Sequence, residues 1–569
     1  MAHYLSNSVS SAKGAAILAL WLGQNCWGAI SQAPFTRLTT GPWMETSRSI
    51  CVAACDYDNN GWPDLFVGKF DTPSALYRNQ NGTFTKVTTG PIPTLLPNAH
   101  AAAWADYNND GWPDLVVACI VDAPQPATVL FHGLGNGAHQ RVLTGPLATD
   151  LGRAVAAAWA DVNQDGLLDL FVGRGALARD VANSLYRNQG VAGFSLDNAI
   201  GFSPRRTDQG TWADYDSDGD LDLFVVRAAR QGNTLYRNNG HGQFEIAEGS
   251  GLENPGESVG AAWGDYDNDG DLDLVVINFT FSGPSANFLY RNNGNGTFTQ
   301  VTEGPIASDT GNFMSCSWVD FDNDGWLDLF MTVEPSSSQG VKNRLYRNLG
   351  SGAFEKVAAG SLVTDFARFA GASWLDFNGD GFLDVYVACG SVYEAQADAF
   401  YRNDGNSNNW IKIRCAGTVS NRSGIGATVR AKARIDGADR WQMRQIVGTE
   451  GWLSFNDLDV VIGLGDATMV DTLRVEWPSG TVQELQNVPV NRTLVVVEKT
   501  TLAMTKREDA DLEVKLTGPR QQRYSLETST DLHNWSLVTS MTITNGDGTA
   551  AFQGPIGAEP ARYFRAVAQ

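Results

Sequence analysis

The chain has 569 residues, 43% of them hydrophobic and 10% aromatic, which is ample for several packed cores and too much for a disordered polymer. Against 41 Lys and Arg stand 63 Asp and Glu, so the formal charge is −22; such a field repels phosphate and excludes nucleic acid and anionic membrane surfaces as general partners. Sixty Gly, 17 Trp and only 18% charged residues point to an all-β chain rich in turns.

Residues 1–31 carry a single Lys, Lys13, and no acid, followed by the apolar run Gly14 to Gly23 and the small residues Gly28, Ala29 and Ser31. That order predicts a secretory signal peptide cut near Ala29 to Ser31, because ten apolar residues are too few to span a bilayer. The expected location is therefore secreted or cell-surface, with no integral membrane segment. Its removal leaves Cys51, Cys55, Cys119, Cys316, Cys389 and Cys415. Cys51 and Cys55 lie about 13 Å apart along one extended strand, too far to bridge. No zinc spacing is present, so the six are read as buried free thiols.

One pattern, D-x-[DN]-x-[DN]-G-x-x-D, then recurs seven times at spacings of 50 to 56 residues. A period near 50 means a propeller or a solenoid. The copies supply Asp56, Asp58, Asn60 and Asp64 in hairpin 1, and Asp106, Asn108, Asp110 and Asp114 in hairpin 2. Hairpin 3 has Asp161, Asn163, Asp165 and Asp169; hairpin 4 has Asp214, Asp216, Asp218 and Asp222. Hairpin 5 has Asp265, Asp267, Asp269 and Asp273, hairpin 6 has Asp320, Asp322, Asp324 and Asp328, and hairpin 7 has Asp376, Asn378, Asp380 and Asp384. Oxygens at positions 1, 3 and 5 can converge on one hard cation, Gly at 6 permits the sharp turn, and Asp at 9 closes the cage. An EF-hand would need flanking helices and Glu at position 12, whereas these loops lie between strand-like runs such as AAAWADY and DLVVA. Asx-turns without an ion are the plain alternative, but 24 aspartates at ligand positions would then repel one another. The prediction is up to seven Ca²⁺, with Mg²⁺ less suited to a flexible many-oxygen cage. These loops resemble the calcium hairpins of FG-GAP repeats. Much of the net acidity is then a metal requirement.

A second motif follows each loop: Leu76-Tyr-Arg-Asn79 in the first copy, with LYRN again from Leu185, Leu235, Leu289 and Leu345, and FYRN from Phe400. A strand of the form F-x-x-V comes next, as in Phe84 to Val87. Four strands per unit and seven units predict a seven-bladed β-propeller of FG-GAP/VCBS repeats over residues 32–406. The segment from Phe35 to Pro42 matches that from Phe84 to Pro91 yet precedes the first loop, so it is expected to complete the last blade and close the ring.

Beyond the repeats, residues 408–498 alternate as strands around Ser420-Asn-Arg-Ser-Gly-Ile-Gly-Ala427, Gly448-Thr-Glu-Gly-Trp-Leu-Ser454 and Trp477-Pro-Ser-Gly480. Together these resemble the ASPIC/UnbV domain, predicted over 407–499, and with the propeller the chain is similar to the cartilage acidic protein family. No EGF-like module follows. Residues 500–569 are expected to form a small β-sandwich similar to fibronectin-like modules of secreted bacterial proteins.

For function, the chain has no HExxH, no GxSxG, no phosphate loop and no full GxGxxG, and its acids are mostly committed to the loops. No catalytic residue is assigned. His100, His132 and His139 cluster in the second repeat, where Leu130-Phe-His132-Gly133 replaces LYRN; His132 is the one candidate for a ligand site there. The Trp of each WxD strand (Trp104, Trp159, Trp212, Trp263, Trp318 and Trp374) is read as inter-blade core. The expected protein is a secreted calcium-stabilised propeller with rigid loops at one rim and a shallow central funnel. By analogy with integrin-like propellers it would bind extracellular carbohydrate or protein. The competing class is a polysaccharide lyase or hydrolase on the same scaffold.

Overall fold

The computed structural model describes residues 34–569 except 95–97, 123, 176–181, 199, 201, 203–205, 228–230, 255, 281–282, 336–339, 351, 391–393, 500, 507–510, 519–522, 530–535, 544–548, 556–562 and 569. The predicted export segment lies outside the described residues. Among them, no helix is long and apolar enough to cross a membrane.

Seven sheets follow one another as blades 1 to 7, each with four antiparallel strands of the repeat, and the sheet of blade 1 carries a fifth, parallel strand from beyond the repeats. Their inner strands are Ser49–Cys55, Ala99–Ala105, Ala154–Ala160, Thr207–Ala213, Ser258–Gly264, Phe313–Val319 and Phe369–Leu375. Each inner strand packs against the next, and the seventh returns to the first, closing a propeller ring. Six of these seven strands are buried along their whole length, which accounts for their Ala- and Gly-rich wording: strands converging on an axis leave no room for large side chains. The outer strand of blade 7 is Phe35–Leu38, paired antiparallel to Ala399–Asn403 with Phe35 opposite Asn403. The strand before the first repeat and the last strand of the seventh thus share one sheet, and the edge of Ala399–Asn403 is covered.

Between blades the aromatic residues form a recurring group. Tyr266 of hairpin 5 stacks on Trp318 of blade 6 at 5.6 Å, and Phe354 of the outer strand tilts against both. Tyr107, Trp159 and Phe194 repeat the arrangement between blades 2 and 3. At the seam of blades 1 and 2 the Phe is replaced by His139, which packs on Tyr57 and Trp104. Burial lowers the pKa of His139 to about 4, so it serves here as a neutral aromatic ring.

Residues 409–497 form two sheets. In one, Asn409–Ala416 lies between Val460–Gly465 and Arg492–Val497; the other runs Ala438–Gln445, Thr428–Ile435, Met469–Glu476, Val482–Pro489. Their buried Ile411, Ile413, Val429, Ile462 and Leu473 continue into the core of blades 1 to 3. Two three-stranded sheets between Thr501 and Ala568 enclose a separate small core of Val514, Leu516, Tyr524, Leu526, Met541 and Ile543.

The shallow central funnel expected at the axis is filled by the chain itself. Residues 448–456 enter the ring and bond to its inner strands. Ser454–Phe455 pairs parallel to Val52–Ala53 of blade 1. Gly451 N donates to Ala261 O of blade 5 at 3.2 Å. Glu450 accepts from Trp318 N at 3.1 Å, and Asn456 Oδ1 accepts from Trp374 N at 2.9 Å. A Cβ on Gly371 would overlap the carbonyl of Leu453, and one on Gly448 would overlap that of Trp159. Backbone-to-backbone contact explains why glycine stands at both places. Inner-strand backbones at the hub have free hydrogen-bonding groups, and a segment of the same chain satisfies them.

Candidate metal centres

Each hairpin joins the inner strand of a blade to the second strand, and the same local bonds shape it. In hairpin 1, Asp56 accepts from Asn60 N and Gly61 N, both at 2.8 Å. Asp64 accepts from Tyr57 N at 3.2 Å and from Asn79 N at 2.6 Å. Position 4 is left-handed, with φ 54° at Asn59, 60° at Asn109 and 56° at Asn268, which favours Asn in that place. Sequence reasoning missed this position. Where position 4 is an amide it also ties its hairpin to the next: Asn59 Nδ2 donates to Gly111 O at 2.8 Å, Asn109 to Gly166 O at 2.8 Å and Asn268 to Gly325 O at 2.9 Å.

Three carboxylates with ligand atoms within 4.8 Å of one another, a set that could hold a metal ion, occur in four hairpins. They are Asp56, Asp58 and Asp64; Asp214, Asp216 and Asp218; Asp265, Asp267 and Asp269; and Asp320, Asp322 and Asp328. Asp222, Asp273 and Asp324 lie in the same loops, and Asn60 gives its side-chain oxygen to Trp62 N at 2.9 Å. Among the described residues no such triplet forms in hairpins 2, 3 and 7, the three that carry Asn108, Asn163 and Asn378 at position 3. Burial drives the carboxyl pKa values up: Asp64, Asp222 and Asp273 to about 9, and Asp214, Asp265 and Asp320 to about 7. Neighbouring carboxylates add to the shift. The chemistry of the donor set, crowded hard oxygens short of positive charge, fits a divalent cation.

The LYRN residues have distinct jobs. The Arg reaches the hairpin of its own blade: Arg78 meets Asp58 at 2.5 Å, Arg237 meets Asp216 at 2.8 Å and Asp218 at 2.9 Å, and Arg347 meets Asp322 at 2.7 Å and Asp324 at 3.1 Å. The Asn reaches the preceding blade, as when Asn348 Nδ2 donates to Tyr266 O at 2.7 Å while also donating to Leu327 O of its own blade at 2.9 Å. In blade 2, His132 stands in for the Arg, with Nδ1 at 3.0 Å from Asp114 and Nε2 at 3.6 Å from Asp110. The side-chain hydrogen bond to Asp114 raises its pKa. The structure therefore assigns this histidine to its own hairpin.

The hairpin rim is also where the next region docks. Asp106 N donates to Ser423 Oγ at 2.8 Å, Arg414 meets Asp56 at 3.2 Å and Asp459 at 2.8 Å, and Lys412 pairs with Asp376. Arg440 donates to Asp324 O at 3.1 Å and stacks over Trp326 at 4.4 Å. A basic face covers an acidic rim.

The class this defines is a β-propeller of aspartate-hairpin repeats capped by a β domain. Its repeats match the model of the FG-GAP-like repeat at residues 56–117, 214–276, 277–331 and 333–387, and residues 417–503 match that of ASPIC and UnbV. The chain thus carries FG-GAP-like repeats followed by an ASPIC and UnbV domain, and it is homologous to cartilage acidic protein 1. The mouse protein of that name is 25% identical over 445 residues, covering 76% of this chain and 62% of its own length. The human protein is 29% identical over 255 residues, covering 44% of this chain and 37% of its own. The chain therefore spans less than two thirds of these relatives. Solved structures similar to it include BBS1N in complex with ARL6DN (TM-score 0.41, 13% identity, 66% of this chain and 99% of that one) and AofleA from Arthrobotrys oligospora (TM-score 0.33, 13% identity, 57% and 90%).

Proposed function

We propose that the protein is a secreted, calcium-bearing propeller that acts as a binding module for an extracellular glycan or protein. In this reading residues 32–406 form the propeller, 407–499 the cap and 500–569 a terminal module, and the hairpin residues named above hold calcium. The observation that carries it is the set of four carboxylate triplets at one rim, each within 4.8 Å. Without a cation such sets oppose the folded state by mutual repulsion and desolvation. With one, they pin the hairpins on which the cap is seated. The homology to cartilage acidic protein 1 supports an extracellular setting. The hub is filled by the protein's own chain and part of the hairpin rim meets the cap, so the surface left for a partner is the exposed hairpin tips, the opposite face and the outer strands.

The test has two arms. Calcium titrated into the stripped protein should give saturable heat and a higher melting temperature; neither change would end the calcium reading. The loaded protein is then passed over immobilised polysaccharides and matrix proteins. Retention without soluble product favours a binding module, and released oligosaccharide favours the lyase or hydrolase reading.

A further inference from the structure

We infer that the cleft between hairpin 4 and the cap is a sugar site, and that it takes an uncharged sugar unit in preference to an acidic or sulfated one. This rests on the binding-module reading above and gives its ligand a class and a place.

The cap closes on the rim through direct bonds at hairpins 2, 6 and 7, made by Ser423, Arg440 and Lys412. At hairpin 4 it meets the base, where Gln445 Oε1 accepts from Asp214 N at 3.1 Å, and it stands off the tip, so that Ser217, Asp218 and Gly219 stay exposed. The space between has a volume of about 380 Å³, within the ~300–1,000 Å³ of small-ligand sites. Its cap wall comes from two stretches that the sequence marks out and the calcium reading leaves without a task. Ser420–Ala427 gives Gly426, and the run from Trp477 to Gly480 gives Trp477, Pro478 and Gly480.

The two stretches are locked together from behind. Glu498, 3% exposed, accepts from Thr418 N, Val419 N and Ser420 N, each at 2.8 Å, and from the hydroxyls of Ser420 and Ser479. Ser479 N also donates to Ser420 Oγ at 3.1 Å. A wall fixed in this way has little freedom left to lose on binding.

The groups lining the cleft both accept and donate. Asp218 on the propeller side and Glu476 on the cap side present carboxylates. Arg430 gives Nε to Glu476 Oε2 at 3.3 Å and Nη1 to Gly270 O at 3.4 Å, which leaves Nη2 with donors to spare. The Thr428 hydroxyl accepts from Gln445 Nε2 at 3.3 Å and keeps its own hydrogen to give. Beside them Pro478 and the 49% exposed Val482 form an apolar edge. A sugar meets all three demands, because its hydroxyls accept and donate and its C–H face is apolar. The charge decides which sugar. Three carboxylates, of Asp214, Asp218 and Glu476, line the cleft against the one guanidinium of Arg430. A ligand sulfate or carboxylate would stand against them. A divalent ion in hairpin 4 would bring this lining to balance and would create no basic patch for an anion.

The test passes the full chain, in calcium, over immobilised dextran and galactomannan, and over chondroitin sulfate and alginate. Retention on at least one neutral polymer and on neither anionic one is expected. Val482→Trp should fill the mouth of the cleft and cut retention about tenfold with an unchanged melting temperature. Val497→Trp, at an equally exposed position on the cap outside the cleft, should leave retention unchanged. Glu476→Gln keeps the side chain's shape, removes one charged acceptor and should weaken retention several-fold. Full retention by the Val482→Trp and Glu476→Gln proteins would overturn the site while leaving a glycan-binding module in place. Retention on the anionic polymers alone would overturn the ligand class in the same way. No retention on any polymer would overturn the inference, and retention on matrix proteins would then leave only the binding-module reading.

Discussion

Asn79 Nδ2 donates to the carbonyl of Phe377 at 2.9 Å, joining blade 1 to blade 7 across 298 residues of sequence. The same amide donates to Pro63 O at 3.1 Å in its own blade. Equivalent clamps join blades 2 and 3 through Asn188, 3 and 4 through Asn238, 4 and 5 through Asn292, 5 and 6 through Asn348, and 6 and 7 through Asn403. At the remaining seam, between blades 1 and 2, Gly133 takes the place of the Asn. The ring is therefore held by six amide clamps, and the one through Asn79 works together with the Phe35–Leu38 strand to close it.

Asn79→Ala leaves two buried carbonyls without their donor, at a cost of about 1–3 kcal/mol each. The expected result is a lower urea midpoint with an unchanged slope, read on the full chain in calcium. Removing residues 32–42 should be worse, since it strips blade 7 of its outer strand and exposes the Ala399–Asn403 edge. Wild-type stability in both variants would refute closure through this seam.

Hairpin 6 is the most deeply covered. Asp320, Asp322, Asp324 and Asp328 are all buried, and Asn406 and Asn408 donate to Asp322 O at 2.6 and 2.8 Å from the chain entering the cap. An ion there can leave only when the cap lifts. Mixing the loaded protein with excess chelator should release calcium in two phases, with the hairpin-6 ion in the slow phase. Arg440→Ala removes the cap's bond to Asp324 O and its stacking on Trp326, and should speed that phase several-fold. A single fast phase for all ions would contradict an occluded site.

The raised carboxyl pKa values predict an unusual pH dependence for the calcium-stripped chain. An unfolded aspartate titrates near 4, whereas burial holds Asp64, Asp222 and Asp273 at about 9 and Asp214, Asp265 and Asp320 at about 7. Between those values the folded state binds more protons than the unfolded one, so stability falls as pH rises through the window. The urea midpoint of the stripped protein should drop from pH 5 to pH 8, and calcium should abolish most of the drop at pH 8. A midpoint that climbs with pH in the stripped protein would show that the hairpin carboxylates are ionised without an ion.

Much of this architecture was legible in the sequence because the hairpin is a contiguous code. Asp, Asn and Gly at fixed offsets state both the turn and the ligand set, and a 50-residue period states the ring. What was not legible depends on residues far apart. The Asn of LYRN reads as a turn residue within its own blade, yet its second bond is to the blade before it. Position 4 varies among Asn, Gln, Ser and Gly, which hides the shared left-handed backbone. His132 reads as a candidate for a ligand site on a degenerate blade because its partner Asp114 is 18 residues away on the neighbouring strand. The funnel was misjudged for the same reason: nothing local in Gly448-Thr-Glu-Gly-Trp-Leu-Ser454 announces that the hub will receive it. Its two glycines were the trace of that contact.

That contact can be attacked from either side. Gly371 belongs to the inner strand of blade 7 and faces Leu453 O, while Gly448 belongs to the entering segment and faces Trp159 O. In each case the obstacle to a new Cβ is backbone, which cannot rotate away as a side chain can. Gly448→Ala changes nothing within the blades themselves, so the ring should still form and bind calcium, but the cap should no longer seat. The expected signs are protease cleavage within residues 446–459 and a larger radius of gyration by solution scattering. Gly371→Ala should give the same two signs from the opposite partner. If both variants keep the compact radius and resist cleavage, the segment does not occupy the hub in solution, and the axis is open after all.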